Sequence, residues 1–248
     1  MKFSWQKKSE PVIEGEPVRQ KGRLREWCES MGFMLVFVWL FTSGIAQATE
    51  VPTESMKPTI LAGDHFFLDK LAFPANYPEA VQKYLPNRTI HRGDIVAFWS
   101  PEDRSLRLVK RVIGLPGETI EIRNRIVYID GKKLDEPYAV HIDPQVYSGQ
   151  SWVPNELQRR DNLGPAKIPS NEYFMMGDNR DNSNDSRFWG FAHGEDFIGK
   201  PLFIYWSYEV DPYVPREQSL KEWAFYYTSV ATHFFSRTRW FRTGEFVR

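Results

Sequence analysis

Leu106-Arg107-Leu108-Val109-Lys110-Arg111-Val112-Ile113-Gly114-Leu115-Pro116-Gly117 is the stretch on which the reading of this fold turns. Period-two alternation sets Leu106, Leu108, Lys110 and Val112 on one face of a strand, with Arg107 and Arg111 on the other. Leu115-Pro116-Gly117 ends the run in a turn. The lysine therefore lies between aliphatic residues, on the face opposite the arginines. Desolvation there disfavours an ammonium and draws its pKa toward neutrality, as a general base requires. Taken alone, the pattern also describes a lysine snorkelling from a strand edge.

Similar runs surround it. His65–Leu71, Asp94–Trp99, Thr119–Arg123, Ile126–Ile129, Glu172–Met176 and Phe197–Tyr205 are short and apolar or alternating, most of them bounded by turn residues. Asn124-Arg125 joins two of them as a tight hairpin, and Asp130-Gly131-Lys132 makes another turn. The expected fold class is all-β, a partly open barrel-like catalytic domain over residues 49–248. Residues 138–171 carry little periodicity and read as an inserted small β subdomain. Leu220, Trp223, Ala224, Tyr227, Val230, Ala231 and Phe234 recur at helical spacing. An amphipathic helix over 217–236 is expected, packed on the core or lying at a membrane interface.

Residues 31–48 contain no charge, and an 18-residue helix would rise roughly 27 Å, close to a hydrocarbon core. Arg19, Lys21, Arg23 and Arg25 precede this run, and Glu50 and Glu54 follow it. The positive-inside rule leaves residues 1–30 as a cytoplasmic tail and sends the domain across the membrane. Ala46-Gln47-Ala48 has the small-x-small form of a cleaved export signal, although the region before it is long for one. Either reading exports the domain.

The 248 residues carry 32 Lys+Arg against 32 Asp+Glu, so nothing global favours nucleic acid. Nine Trp and eighteen Phe suit a protein at a membrane interface. The lone Cys28 excludes an internal disulfide. No cofactor is implied, and no metal-ligand set is present. Asp181, Ser183 and Asp185 have calcium-loop spacing, but Ser186 replaces the loop glycine and Ala192 the final glutamate.

A second block, Val51-Pro52-Thr53-Glu54-Ser55-Met56-Lys57-Pro58-Thr59, holds Ser55 in a turn stiffened by Pro52 and Pro58. A serine hydroxyl needs a base. None of the five histidines sits in a triad-like motif, and no Gly-x-Ser-x-Gly elbow occurs. Lys110 is the alternative. Two further blocks are Gly93-Asp94-Ile95-Val96-Ala97-Phe98 and Met176-Gly177-Asp178-Asn179-Arg180-Asp181-Asn182-Ser183-Asn184-Asp185-Ser186-Arg187.

From about Ala46 to Trp206, these four blocks in this order resemble the bacterial type I signal peptidases, or leader peptidases. The resemblance implies that Ser55 is the nucleophile and Lys110 the general base. The Ser55 N–H and the Thr53 hydroxyl would form the oxyanion hole. Ser183 would hydrogen-bond and orient Lys110, Asp185 and Arg187 would form a supporting ion pair, and Gly177, Asp178 and Asn179 would shape the floor. Val51, Met56, Ile60, Leu108 and Val109 would line the pocket next to the cut, and Pro52 would also touch substrate. Phe66, Ala97 and Val109 would line a second pocket, giving Ala-x-Ala specificity. Phe66 is bulkier, and Ala97 smaller, than the common family pattern.

The implied partners are signal peptides of exported preproteins and membrane lipid, with Phe66, Phe67 and Phe73 available to touch the bilayer. The implied location is the bacterial inner (plasma) membrane, single-pass, with a periplasmic catalytic domain. Two other functions are weighed. A self-cleaving repressor relative would need a DNA-binding domain, which residues 1–30 do not supply. A catalytically dead, membrane-tethered β scaffold is the other.

Overall fold

Every expected strand forms, and the strands pair antiparallel throughout. A computed structural model describes residues 23–73, 77–85, 89–148, 153–210 and 220–248. In chain order the elements are α1 (Arg23–Gly44), β1 (Ala46–Glu50), β2 (Asp64–Asp69), α2 (Glu79–Gln82), β3 (Ile95–Trp99), β4 (Arg107–Gly114), β5 (Thr119–Arg123), β6 (Ile126–Ile129) and β7 (Lys132–Lys133). They continue with α3 (Asn155–Asp161), β8 (Leu163–Lys167), β9 (Glu172–Met176), α4 (Ser186–Trp189), β10 (Ala192–His193), β11 (Phe197–Ser207) and α5 (Leu220–Arg237). One sheet has the order β1-β2-β11-β3-β4-β9-β10, and a second has β7-β6-β5-β8. The fold is mostly β.

The alternation in β4 distributes its side chains among three apolar cores. Leu108 and Val112 pack with Val96, Phe98, Met175 and Phe197. Val109 faces the other way, against Met56, Ile60, Phe66, Ala97 and Ile204. Ile113 joins Ile120, Val127, Phe174 and Met176 between the two sheets. Each fully buried aliphatic side chain contributes about 1.5–3 kcal/mol, so β4 is pinned from both faces. The β5–β6 hairpin turns on Asn124 (φ 49°) and Arg125 (φ 71°), the double positive φ of a type I′ turn.

Several expected boundaries shift. Helix α1 begins at Arg23, inside the stretch assigned to the tail, while residues 1–22 lie outside the described residues. It stops at Gly44 because Ala46–Glu50 pairs with β2, with Ala46 opposite Asp69 and Glu50 opposite His65. The uncharged helical run therefore ends four residues early and rises only roughly 21 Å. Among the described residues no helix is long and apolar enough to cross a membrane. The chain divides at Leu40 into two units, the second being Phe41–Arg248.

Residues 138–171 are joined to the second sheet. They supply α3, and they supply β8, which pairs with β5. Buried ion pairs secure them: Arg160 Nε lies 2.8 Å from Asp161, and Arg125 Nε lies 3.1 Å from the same carboxylate. The C-terminal helix forms as α5 with a break at His233. Of the aromatics expected at lipid, Phe66 and Phe73 are core residues at 0% and 5% exposure.

Gly114 lets β4 pass beside β9 and the Ile168 side chain. An added Cβ would strike the tip of Ile168 and lie 3.1 Å from the Phe174 Cβ. Gly114→Ala is expected to lower unfolding free energy by about 1–3 kcal/mol in urea melts. An unchanged midpoint and slope would show that Ile168 yields without strain.

Candidate active site

The turn after β1 is built around two buried plugs. Met56 and Ile60 are fully buried, and the Ile60 N–H donates to the Met56 carbonyl at 2.9 Å. Ser55 stands just before the first plug, itself 7% exposed. Its carbonyl accepts from the Asn179 N–H at 3.1 Å, while Asn179 Nδ2 donates to the Glu54 carbonyl at 3.2 Å. Gly177 lies tight beneath, where a Cβ would collide with the Ser55 carbonyl oxygen and with Ser183 Oγ.

Lys110 arrives from β4. Its Nζ donates to Ser55 Oγ at 2.6 Å, and the lysine is 4% exposed. Thr53 Oγ1 lies 3.3 Å from Ser55 Oγ. Burial pushes the Lys110 pKa down, from 10.5 to about 8. Asp185 and Asp178 push it back up, and Arg187 opposes them.

Both aspartates are engaged by arginines. Asp185 accepts from Arg187 Nε and Nη2, each at 2.8 Å, and from the Gly177 N–H at 3.1 Å. Burial pushes the Asp185 carboxyl up, but Arg187 and these hydrogen bonds outweigh it and hold the pKa low. Asp178 accepts from Arg111 Nε at 2.8 Å and Nη2 at 2.7 Å, and from Thr59 Oγ1 at 2.5 Å. Arg111 also lies 4.1 Å from the Tyr138 ring centroid.

Ser55, Lys110, Thr53, Ser183, Gly177, Asp178, Asn179, Asp185 and Arg187 are thus linked around one turn. One expected bond is different. Ser183 Oγ is buried without a hydrogen-bond partner among the described residues, and the lysine amine turns to Ser55 instead.

The expected pocket residues also divide. Val51, Met56, Ile60, Phe66, Ala97 and Val109 share one core, whereas Leu108 packs on the opposite side of the sheet and Pro52 is exposed. Asp181, which has calcium-loop spacing, instead faces Arg160 at 3.6 Å and Arg125 at 3.9 Å. Among the described residues no cluster of His, Cys, Asp and Glu could hold a metal ion.

Sequence reasoning missed Arg111, Arg180 and Arg242, which are 3%, 1% and 6% exposed. Arg111 is placed correctly by alternation, but its burial depends on Asp178, far along the chain.

A hydroxyl hydrogen-bonded to a desolvated lysine amine, with no histidine bonded to it, has the geometry that a serine–lysine hydrolase would use. The sequence matches the family "Signal peptidase, peptidase S26" over residues 24–206. It is 33% identical to signal peptidase I of Rickettsia typhi over 210 residues, 73% of this chain and 80% of that one. It is 35% identical to the probable signal peptidase I-1 of Synechocystis, covering 68% of this chain and 76% of that one. With signal peptidase I of Rickettsia canadensis the identity is 33%, over 80% and 85% of the two chains. The chain belongs to the S26 signal peptidases and is a serine endopeptidase.

The lowered Lys110 pKa has a consequence for stability. Between about 8 and 10.5 the unfolded chain binds more protons at this lysine than the folded one, so stability rises with pH there. Below about 8 the buried ammonium costs stability in full. Lys110→Met is expected to be more stable than the parent at pH 6, by about 1–3 kcal/mol, with the gain shrinking above pH 8. Paired urea melts at pH 6 and pH 10 measure it; a variant that is less stable at both would contradict the desolvation argument.

Proposed function

We propose that Ser55 and Lys110 are the nucleophile and general base with which this enzyme removes N-terminal signal peptides from exported proteins. The supporting observation is the 2.6 Å bond between the Ser55 hydroxyl and a buried amine with a lowered pKa. Neutral Lys110 takes the Ser55 proton as Oγ attacks the scissile carbonyl. The Ser55 N–H and the Thr53 hydroxyl donate to the oxyanion, each such donor being worth about 3–4 kcal/mol in the transition state. Lysine returns the proton to the leaving amine, then deprotonates the water that hydrolyses the acyl-enzyme. Asp185 with Arg187, and Asp178 with Arg111, keep the surrounding charge balanced.

The edge of β4 supports substrate binding by strand addition. β3 pairs with Arg107 through Arg111, whereas β9 pairs only from Arg111 onward. Arg107–Val109 therefore keeps one edge open among the described residues, running up to Lys110. A peptide laid there points alternate side chains at the same wall. Met56, Ile60 and Phe66 already fill the core behind Val109, at 0% exposure each, so only small side chains fit. Cleavage after a small-x-small motif follows.

Membrane attachment is the second part of the proposal. In α1, Phe33, Leu35, Val36, Phe37 and Trp39 are all more than half exposed, so the helix is apolar around its circumference. The basic residues before it favour a cytoplasmic N-terminus, with the catalytic domain on the periplasmic side of a bacterial inner membrane. A second apolar surface lies near the C-terminus, where Phe235 and Phe241 are each 81% exposed, Phe246 65% and Trp240 51%. It takes the place of Phe66 and Phe73 as the surface available to lipid.

Ser55→Ala and Lys110→Arg are each expected to abolish cleavage of an Ala-x-Ala reporter, because a guanidinium stays charged at usable pH. In the parent, kcat/KM should rise with pH through about 8, as the amine loses its proton. Appreciable turnover by purified Lys110→Arg would exclude the lysine-base mechanism. Separately, the Phe41–Arg248 unit should sediment with anionic liposomes, and changing Phe235 and Phe241 together to Ser should release it. Equal sedimentation of both forms would remove that surface from the membrane account.

A further inference from the structure

The Ser55 turn is held from a second direction by a residue 187 positions away in the chain. Asp64, fully buried at the start of β2, accepts from the Leu61 N–H at 2.8 Å and from Ser207 Oγ at 2.6 Å. Two arginines face it as well: Arg239, whose Nη1 lies 3.7 Å from Oδ1, and Arg242, whose Nη2 lies 2.7 Å from Asp64 Oδ2 and whose Nε lies 3.2 Å from both carboxylate oxygens. The same Nη2 donates to the Thr59 carbonyl at 2.9 Å. Thr59 stands immediately before the Ile60 plug, within the turn that Ser55 opens.

Arg242 has a fixed base from which to pull. The Gly244 N–H donates to the Ile204 carbonyl at 2.7 Å, the Ile204 N–H to Glu245 at 2.9 Å, and the Val247 N–H to Leu202 at 3.0 Å. These bonds lay residues 244–247 alongside β11. From the other direction, the Thr59 side chain donates to Asp178, the partner of Arg111, which follows Lys110 on β4. Thr59 is thus tied through its carbonyl to one buried arginine–aspartate pair and through its hydroxyl to another.

We infer that Arg242 is a positioning residue for the nucleophile: by joining Asp64 to the Thr59 carbonyl, it sets how far the Ser55 turn stands from Lys110. The inference rests on the Ser55–Lys110 reading above. A guanidinium fork serves a carboxylate and a neighbouring carbonyl together, whereas an ammonium is a single compact charge. Lysine at this position would keep the ion pair to Asp64 and lose the simultaneous reach to Thr59. Misplacement of a reacting atom by about 1 Å can cost roughly a hundredfold in rate, so partial slackening should appear in kcat.

The test uses the full-length enzyme in detergent with the Ala-x-Ala reporter, reading kcat, KM and Tm for four variants. Arg242→Lys is expected to lose about tenfold in kcat and Arg242→Gln more, with KM within about threefold of the parent. Ser207→Ala removes a different partner of Asp64 and leaves the Arg242–Thr59 bond in place, and it should keep its kcat even where Tm falls. Should Arg242→Gln fail to fold, Arg242→Lys alone carries the comparison. Folded Arg242 variants with parental kcat would overturn the inference, and so would a loss in Ser207→Ala that matches Arg242→Lys. Ser55→Ala separates the two readings. Activity there removes the dyad itself, whereas an inactive Ser55→Ala beside an unaffected Arg242→Lys removes only the positioning role.

Discussion

A lysine amine held out of water beside a serine hydroxyl is the constraint to which the rest of this structure answers. Desolvation lowers the Lys110 pKa, but only while no unbalanced negative charge stands nearby. Two aspartates do stand nearby, and each raises it. The structure resolves the conflict by pairing both: Asp185 with Arg187, and Asp178 with Arg111. A bare carboxylate at either position would attract the ammonium and undo much of what burial achieves. The arginines therefore do more than stabilise their partners. Arg187 opposes the field of Asp185 at the lysine while leaving that carboxylate free to anchor a loop through the Gly177 N–H.

Such a site needs a rigid platform, and β4 provides one. Its residues enter all three apolar cores, so displacing the strand would disturb packing on every side. The Ser55 turn has no strand of its own to hold it. Its order comes from the Met56 and Ile60 plugs, the backbone bonds to Asn179 and the ties at Thr59. One reactive partner is thus fixed by apolar packing and the other by buried polar contacts. Buried charges demand pairing, which explains the crowding of buried arginines and aspartates around one serine.

Much of this is legible in the sequence. Thr119–Arg123, Ile126–Ile129 and Glu172–Met176 form strands with the limits read from alternation, because local turn chemistry bounds them. The blocks holding Ser55, Lys110 and Asp185 come together as their order suggested. What escaped was decided by distant partners. β8 reads Leu-Gly-Pro-Ala-Lys, whose glycine and proline argue against a strand, yet β5 offers it an edge. β1 reads Ala-Gln-Ala-Thr-Glu, and its first three residues continue the uncharged run of the helix, but pairing with β2 claims them. No periodicity distinguishes a buried arginine from an exposed one. Arg111 and Arg242 are buried only because Asp178 and Asp64 wait for them.

That dependence carries a physical lesson about where function resides in this fold. Apolar alternation specifies the sheet and tolerates exchange of one aliphatic residue for another of similar volume. The paired charges do not tolerate exchange in that way, since losing one partner strands the other in a medium that cannot solvate it. A buried pair is a poor source of net stability compared with an apolar contact of equal size. Its use here follows from geometry instead. A guanidinium holds a carboxylate and a carbonyl at set distances and angles, which apolar packing cannot do. The sheet establishes that the chain folds, while the arginine–aspartate pairs establish where Ser55 stands relative to Lys110.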